Sequence, residues 1–151
     1  MRSMNNGNSV NISRIFVEED GGPFTRLGFY MELLILPEDF SICKLKDYSQ
    51  IDINQPFVFT GSTDEEKSLV CPTRLVPPGI LERSDGWRGL RIAGVLDFSL
   101  VGVIAGISDI LAKDGIGIFV LSTFDTDYIL IRNEQFEVAL KVLELSGYII
   151  T

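Results

Sequence analysis

The residues best suited to chemistry stand in one short stretch, "LSTFDTDYIL" (Leu121 to Leu130), where Thr123, Phe124, Asp125 and Asp127 separate two apolar runs. Two carboxylates and a hydroxyl at a chain reversal can hold an ammonium group. A second feature lies upstream, where Gly102 and Gly106 interrupt the apolar run "VGVIAGISDILAK", Val101 to Lys113. Glycine inside a helix costs about 1 kcal/mol relative to alanine, so something must come close to the backbone there. For Gly106 the reading is tight packing of a helix on a sheet. Gly102 lies in the first turn, where free N–H groups and the helix dipole attract anions, so approach of a ligand is an equal reading. A hairpin carboxylate beside such a helix start supplies what an amino acid zwitterion needs, an acceptor for its ammonium and donors for its carboxylate. Asp127 is then the ammonium partner, Thr123 a hydroxyl hydrogen-bonder, Phe124 a pocket wall, and the backbone around Val101 and Gly102 the carboxylate cradle. The same residues also suit an ordinary hairpin, since Asp favours turns and Thr favours strands; Asp125 reads as a plain turn residue. A calcium site at Asp125 and Asp127 would lack the further oxygen ligands of an EF-hand loop.

Other chemistries are narrowed by what the chain lacks. It contains no histidine, which removes the Ser-His and Cys-His nucleophile pairs. There is no GxSxG and no phosphate-cradling GxxxxGK[ST]; the fragment "GIGIF" lacks the third glycine of a dinucleotide fingerprint. An enzyme working through Asp97, Asp125 and Asp127 is conceivable, but no activated nucleophile accompanies them. Cys43 and Cys71 are too few and too far apart for a zinc site or a disulfide framework and read as reduced core thiols. No metal and no cofactor are expected. A net charge of −8 and a pI near 4.5 repel phosphate chains, so nucleic acid is not an expected partner. No apolar run reaches the roughly 18 residues needed to span a bilayer, and no signal-peptide h-region opens the chain, so the expectation is a cytoplasmic protein without a membrane partner. At 151 residues with 46% hydrophobic content, the chain can bury a core as one domain or two small ones.

The elements that must position these residues divide into three parts. Residues 1–30 read as an N-terminal extension rich in turn formers, with "RIFV" a potential edge strand. Residues 31–86 read as mostly β: "ELLIL", "SICKL", "PFVFT" and "KSLVC" are short, branched or aromatic runs divided by Pro, Asp, Asn, Gly and Ser. "GSTDEEKS" carries a capping box but meets Pro72 too soon, so it reads as a loop between strands. "RLVPPGILERSDG", Arg74 to Gly86, reads as an irregular connector. Residues 87–151 then give a strand at "WRGLRIAG", a helix over Val101–Lys113 with Val101, Ile104, Ala105 and Ser108 on one face, and two strands around Phe124–Asp127. A second helix is N-capped by Asn133, presents Phe136, Ala139, Leu140 and Leu143, and ends at Gly147 before a last strand, "YIIT". The order β-α-β-β-α-β is ferredoxin-like, an α+β class with antiparallel sheets.

The stretch "VGVIAGISDILAKDGIGIFVLSTFDTDYILI" resembles the ACT domain, in particular small bacterial ACT proteins related to the CASTOR arginine sensors and to aspartate kinase regulatory regions. The shared pattern is a glycine opening the first helix, "GI" with a strand, "STF", a spacer, and Asp leading the next strand. The part containing "DFSICKL" and "GSTDEEKSLVC" resembles the preceding, degenerate ACT-like half. The resemblance implies two tandem ACT-like units, 31–86 and 87–151, with effector amino acids bound where two units meet. Carried over by motif, the ligand-binding positions are Leu100, Val101 and Gly102 at the helix opening, Gly117 and Ile118 on the strand of a second unit, and Thr123, Phe124 and Asp127 on the hairpin. Leu100 stands where the arginine sensors have an acidic residue, which argues against arginine.

The function expected is therefore a non-enzymatic regulatory module that binds an amino acid at an ACT-ACT interface. A homodimer is expected because "IGIFVLSTF" and the first helix are apolar on both faces. The alternative is a protein-interaction adaptor that has lost its ligand.

Overall fold

The computed structural model describes residues 13–16, 27–94 and 102–151. Strands β1 (Ser13–Phe16) and β2 (Leu27–Tyr30) pair antiparallel in a sheet of their own, so the strand at "RIFV" exists but is not an edge of the main sheet.

The main sheet starts with β3, Glu32–Leu45. It joins "ELLIL" and "SICKL", expected as separate strands, into one. Pro37 lies where the pairing with the next long strand shifts register, between Ile35 and Asp39; a bulge accommodates a residue with no N–H to donate. Then come β4 (Phe59–Ser62), β5 (Lys67–Pro72), a single 3-10 turn at Thr73–Leu75, and β6 (Ile80–Ile92). The expected irregular connector is thus half strand. Its prolines end at Pro78, Gly79 just before the strand and Gly86 within it take positive φ, 78° and 82°, and exposed Glu82, Arg83 and Asp85 concealed the strand. "PFVFT" yields strand only from Phe59 onward.

Helix α1 (Val103–Lys113), β7 (Ile118–Ser122), β8 (Asp127–Arg132), helix α2 (Asn133–Leu145) and β9 (Ile149–Ile150) complete the chain. The β-α-β-β-α-β order from β6 onward is as expected. The sheet order is β4-β5-β3-β6-β8-β7, with β9 parallel to the start of β3.

Both helices end in Schellman geometry. Ile116 N–H reaches Leu111 C=O at 3.0 Å and Tyr148 N–H reaches Leu143 C=O at 3.1 Å, with Gly115 and Gly147 left-handed between them. The helix starts differ from expectation. Gly102 precedes α1 as its N-cap at φ 80° rather than lying in the first turn, and Asn133 is the first helical residue of α2, with Arg132 at the cap.

One face of the sheet is covered by the helices. Ile107 and Leu111 of α1 and Phe136, Ala139 and Leu143 of α2 bury against Leu33, Leu90, Ile92, Ile129 and Ile131. Each of these but Ala139 contributes roughly 1.5–3 kcal/mol by its burial. The core stripe of α1 is Ile107 and Leu111, not Ala105 and Ser108; Ala105 is exposed. The stripe expected for α2 is the one that buries. The other face closes on itself: Phe59 of β4 meets Tyr128 of β8 edge-on at 5.0 Å, although β5, β3 and β6 lie between those strands. The curled sheet encloses Leu36, Phe40, Val70 and Leu130.

Candidate functional site

The hairpin between β7 and β8 is built by its threonines. Thr123 N–H and Oγ1 both donate to Thr126 C=O, at 2.9 Å and 3.1 Å. Thr126, 7% exposed, donates its hydroxyl to Ile92 C=O at 2.8 Å. That bond ties the hairpin tip to the last residue of β6, where the chain departs toward α1.

Parallel strands β6 and β7, both antiparallel to β8, are joined by α1. A helix making that connection runs back along the sheet, so its first turn lies at the hairpin-tip end. Alternation fixes the side. Ile129 and Ile131 face the helices, so Asp127 and its register partner Ser122 face them too. Ser122 Oγ donates to Asp127 Oδ1 at 2.6 Å, which orients a half-buried carboxylate. A carboxylate so held has further lone pairs that can accept from a donor.

Gly102, Thr123, Phe124 and Asp127 therefore belong to one end of the sheet. Gly102 is exposed, and a Cβ there would meet no atom within 4 Å. Phe124 is 69% exposed. Gly117 and Ile118 lie at the other end of β7, six and five residues from Thr123, roughly 17–20 Å of strand; one chain does not bring them to the same ligand as Asp127. Leu100, Val101 and Asp97 fall outside the described residues. A Cβ at Gly106 would lie 3.4 Å from Tyr148 Oη, an ordinary contact with a side-chain tip and not the close approach to the sheet expected there.

Ser122 and Thr126 were not apparent from the sequence as parts of this arrangement. Ser122 had a signal, its place directly opposite Asp127 across a four-residue turn. Thr126 had none, because its bond to Ile92 is long-range.

A second polar cluster is self-satisfied. Buried Ser41 bonds Thr73 Oγ1 at 2.9 Å and donates to the Asp85 carboxylate. Arg83 holds Asp85 at 2.8 Å, and that bond, with the one from Ser41, keeps the Asp85 carboxyl below its ordinary range. Burial pushes the thiol of neighbouring Cys71 up to about 11 and raises that of Cys43. Among the described residues no group of three or more His, Cys, Asp or Glu could hold a metal, and no helix is long and apolar enough to cross a membrane.

Residues 82–144 match the ACT domain family model, a span that includes every candidate ligand position. Among solved structures, the chain is 30% identical to protein Atu0741 from Agobacterium tumefaciens, covering 81% of this chain and 92% of that one, TM-score 0.71. It is 21% identical to VC0802 from Vibrio cholerae, a protein of unknown function called a possible transport protein, over 76% of this chain and 88% of that one, TM-score 0.62. The regulatory subunit of aspartate kinase from Thermus thermophilus, 14% identical over 75% of this chain and 95% of that one, TM-score 0.52, shares the fold. No curated protein matches.

Proposed function

The chain belongs to the ACT domain family, and on that premise we propose that it is a non-enzymatic regulatory module that binds an amino acid between two copies of itself. The observation that carries this reading is the Asp127 carboxylate. It is oriented by Ser122 on the helix side of the sheet, at the end where α1 begins behind Gly102. The ligand's ammonium goes to Asp127, its carboxylate to the amides at the opening of α1, and Thr123 and Phe124 flank it.

Gly117 and Ile118 enter the same site from the partner copy, because within one chain they lie a strand's length away. Such a dimer also covers Val120, 36% exposed on the edge strand β7. A regulatory subunit of aspartate kinase is among the proteins with this fold, which agrees with an effector-binding role. The second reading, an adaptor that binds a protein and no ligand, is favoured by Leu100 in place of an acidic residue.

Thermal melting in the presence of each of the twenty amino acids separates the two. A ligand at one hundred times its Kd stabilises by about 2.7 kcal/mol, a rise of roughly 5–10 °C for a chain of this size. The expected result is such a rise with one or a few amino acids, lost in Asp127→Asn. No response to any amino acid would favour the adaptor.

A further inference from the structure

We infer that the hairpin of β4 and β5 is an internal copy of the hairpin of β7 and β8 with its ligand-recognising charge inverted, so that each chain holds one amino acid site and not two. The inference rests on the ligand-binding reading above. It begins from register: Phe59↔Val70, Thr60↔Leu69, Gly61↔Ser68 and Ser62↔Lys67 recur as Phe119↔Leu130, Val120↔Ile129, Leu121↔Tyr128 and Ser122↔Asp127. Every position is displaced by 60 residues, with no insertion. The turns repeat as well. Thr63 N–H donates to Glu66 C=O at 2.9 Å, as Thr123 N–H does to Thr126 C=O at 2.9 Å, and the Thr63 hydroxyl reaches the same carbonyl at 3.3 Å.

The faces correspond too. Val70 and Leu130 share the core inside the curl, with Phe59 and Phe119 packed against it. On the other face Leu69 and Cys71 answer to Ile129 and Ile131. In the second half that face is covered by two helices. In the first half it is covered by Tyr48, Ile51, Val58, Leu75 and Val76, from connections that hold no α-helix among the described residues.

Two differences decide which hairpin binds. Opposite the serine stands Lys67 in one and Asp127 in the other, a cation where the ligand's ammonium would have to sit. The first half also lacks the helix start whose amides would receive the carboxylate. The Ser-Thr frame is common to both hairpins; the charge placed on it is not.

Two substitutions test this, Lys67→Asp and Asp127→Lys. Because the frame carries either charge, each variant alone should melt within a few degrees of the parent, as surface substitutions do. A cooperative fold lost in Asp127→Lys but kept in Lys67→Asp would overturn the common frame, whatever the ligand. Calorimetric titration with the amino acid that raises the melting temperature should give one site per chain, unchanged in Lys67→Asp and lost in Asp127→Lys. Two sites per chain, or weaker binding in Lys67→Asp, would overturn the inference while leaving ligand binding intact. Absence of binding by every amino acid would contradict both the ligand reading and the single site that depends on it.

Discussion

Asp127 shows how much a residue's role depends on its neighbours. On sequence grounds it was the candidate ammonium partner and Asp125 a plain turn residue; register adds that Asp127 is the first residue of β8, faces the helix layer and receives the Ser122 hydroxyl. Its candidacy was legible because a hairpin-end Asp beside an apolar strand is a local pattern. Ser122 was signalled only by its place opposite Asp127, and Thr126 not at all, since its value lies in Ile92, a partner that folding supplies. The cysteines were legible as core thiols, and both are buried. Cys71 leads to a prediction at this scale. With its thiol pushed up to about 11 by burial, almost no thiolate exists at neutral pH, so a disulfide-exchange reagent should leave Cys71 untouched in the native protein at pH 8 and modify it in denaturant. The folded state holds that proton more tightly than the unfolded chain, whose ordinary value is 9.0. The associated stability is therefore complete below pH 9 and is lost as pH rises from 9 through 11. Native modification of Cys71 at the rate of a free thiol would contradict this.

Among the elements, α2 and the second hairpin carried strong local signals and were read correctly, whereas the first half of β6 and the continuity of β3, made by long-range pairing, were not. The stripe Phe136, Ala139 and Leu143, with Gly147 closing the helix, announced α2. The turn residues at Thr123–Thr126 announced the second hairpin. The first half of β6 was hidden because Pro77, Pro78 and Gly79 precede it and its outward residues are charged; its strand character comes from pairing with β3. Pro37 hid the continuity of β3 in the same way. The first half was read only as a degenerate ACT-like unit, because in the two hairpins Phe59, Ser62 and Thr63 alone recur as identical residues, at Phe119, Ser122 and Thr123, while the rest of the likeness is in register and burial. Gly89, in β6, tests the curled packing. A Cβ there would stand 2.9 Å from Leu36 Cδ1, 3.1 Å from Phe40 Cε2 and 3.2 Å from Leu130 Cδ2, inside a closed core. Gly89→Ala should cost about 1–3 kcal/mol of overpacking, visible as a lower urea midpoint with an unchanged slope. Unaltered stability would mean that the inner face of the sheet is looser than these distances imply.

At the scale of the whole molecule, β3 and β6 bind the strands from Glu32 onward into one sheet. β6 pairs with the C-terminal part of β3 through its first residues, then with the start of β3 and with β8 through its last. It crosses the expected division at residues 86 and 87 without a break. One end of the second half then carries the opening of α1 and the tip of the β7–β8 hairpin, and the opposite end carries Gly117 and Ile118. That separation is why the proposed site needs two copies of the chain. Hydrogen–deuterium exchange, run with each of the twenty amino acids in turn, tests the proposal most directly. The expected result is an amino acid that slows exchange together at residues 102–104, 117–118 and 121–127. Protection confined to other segments, or none in these three with any amino acid, would contradict it.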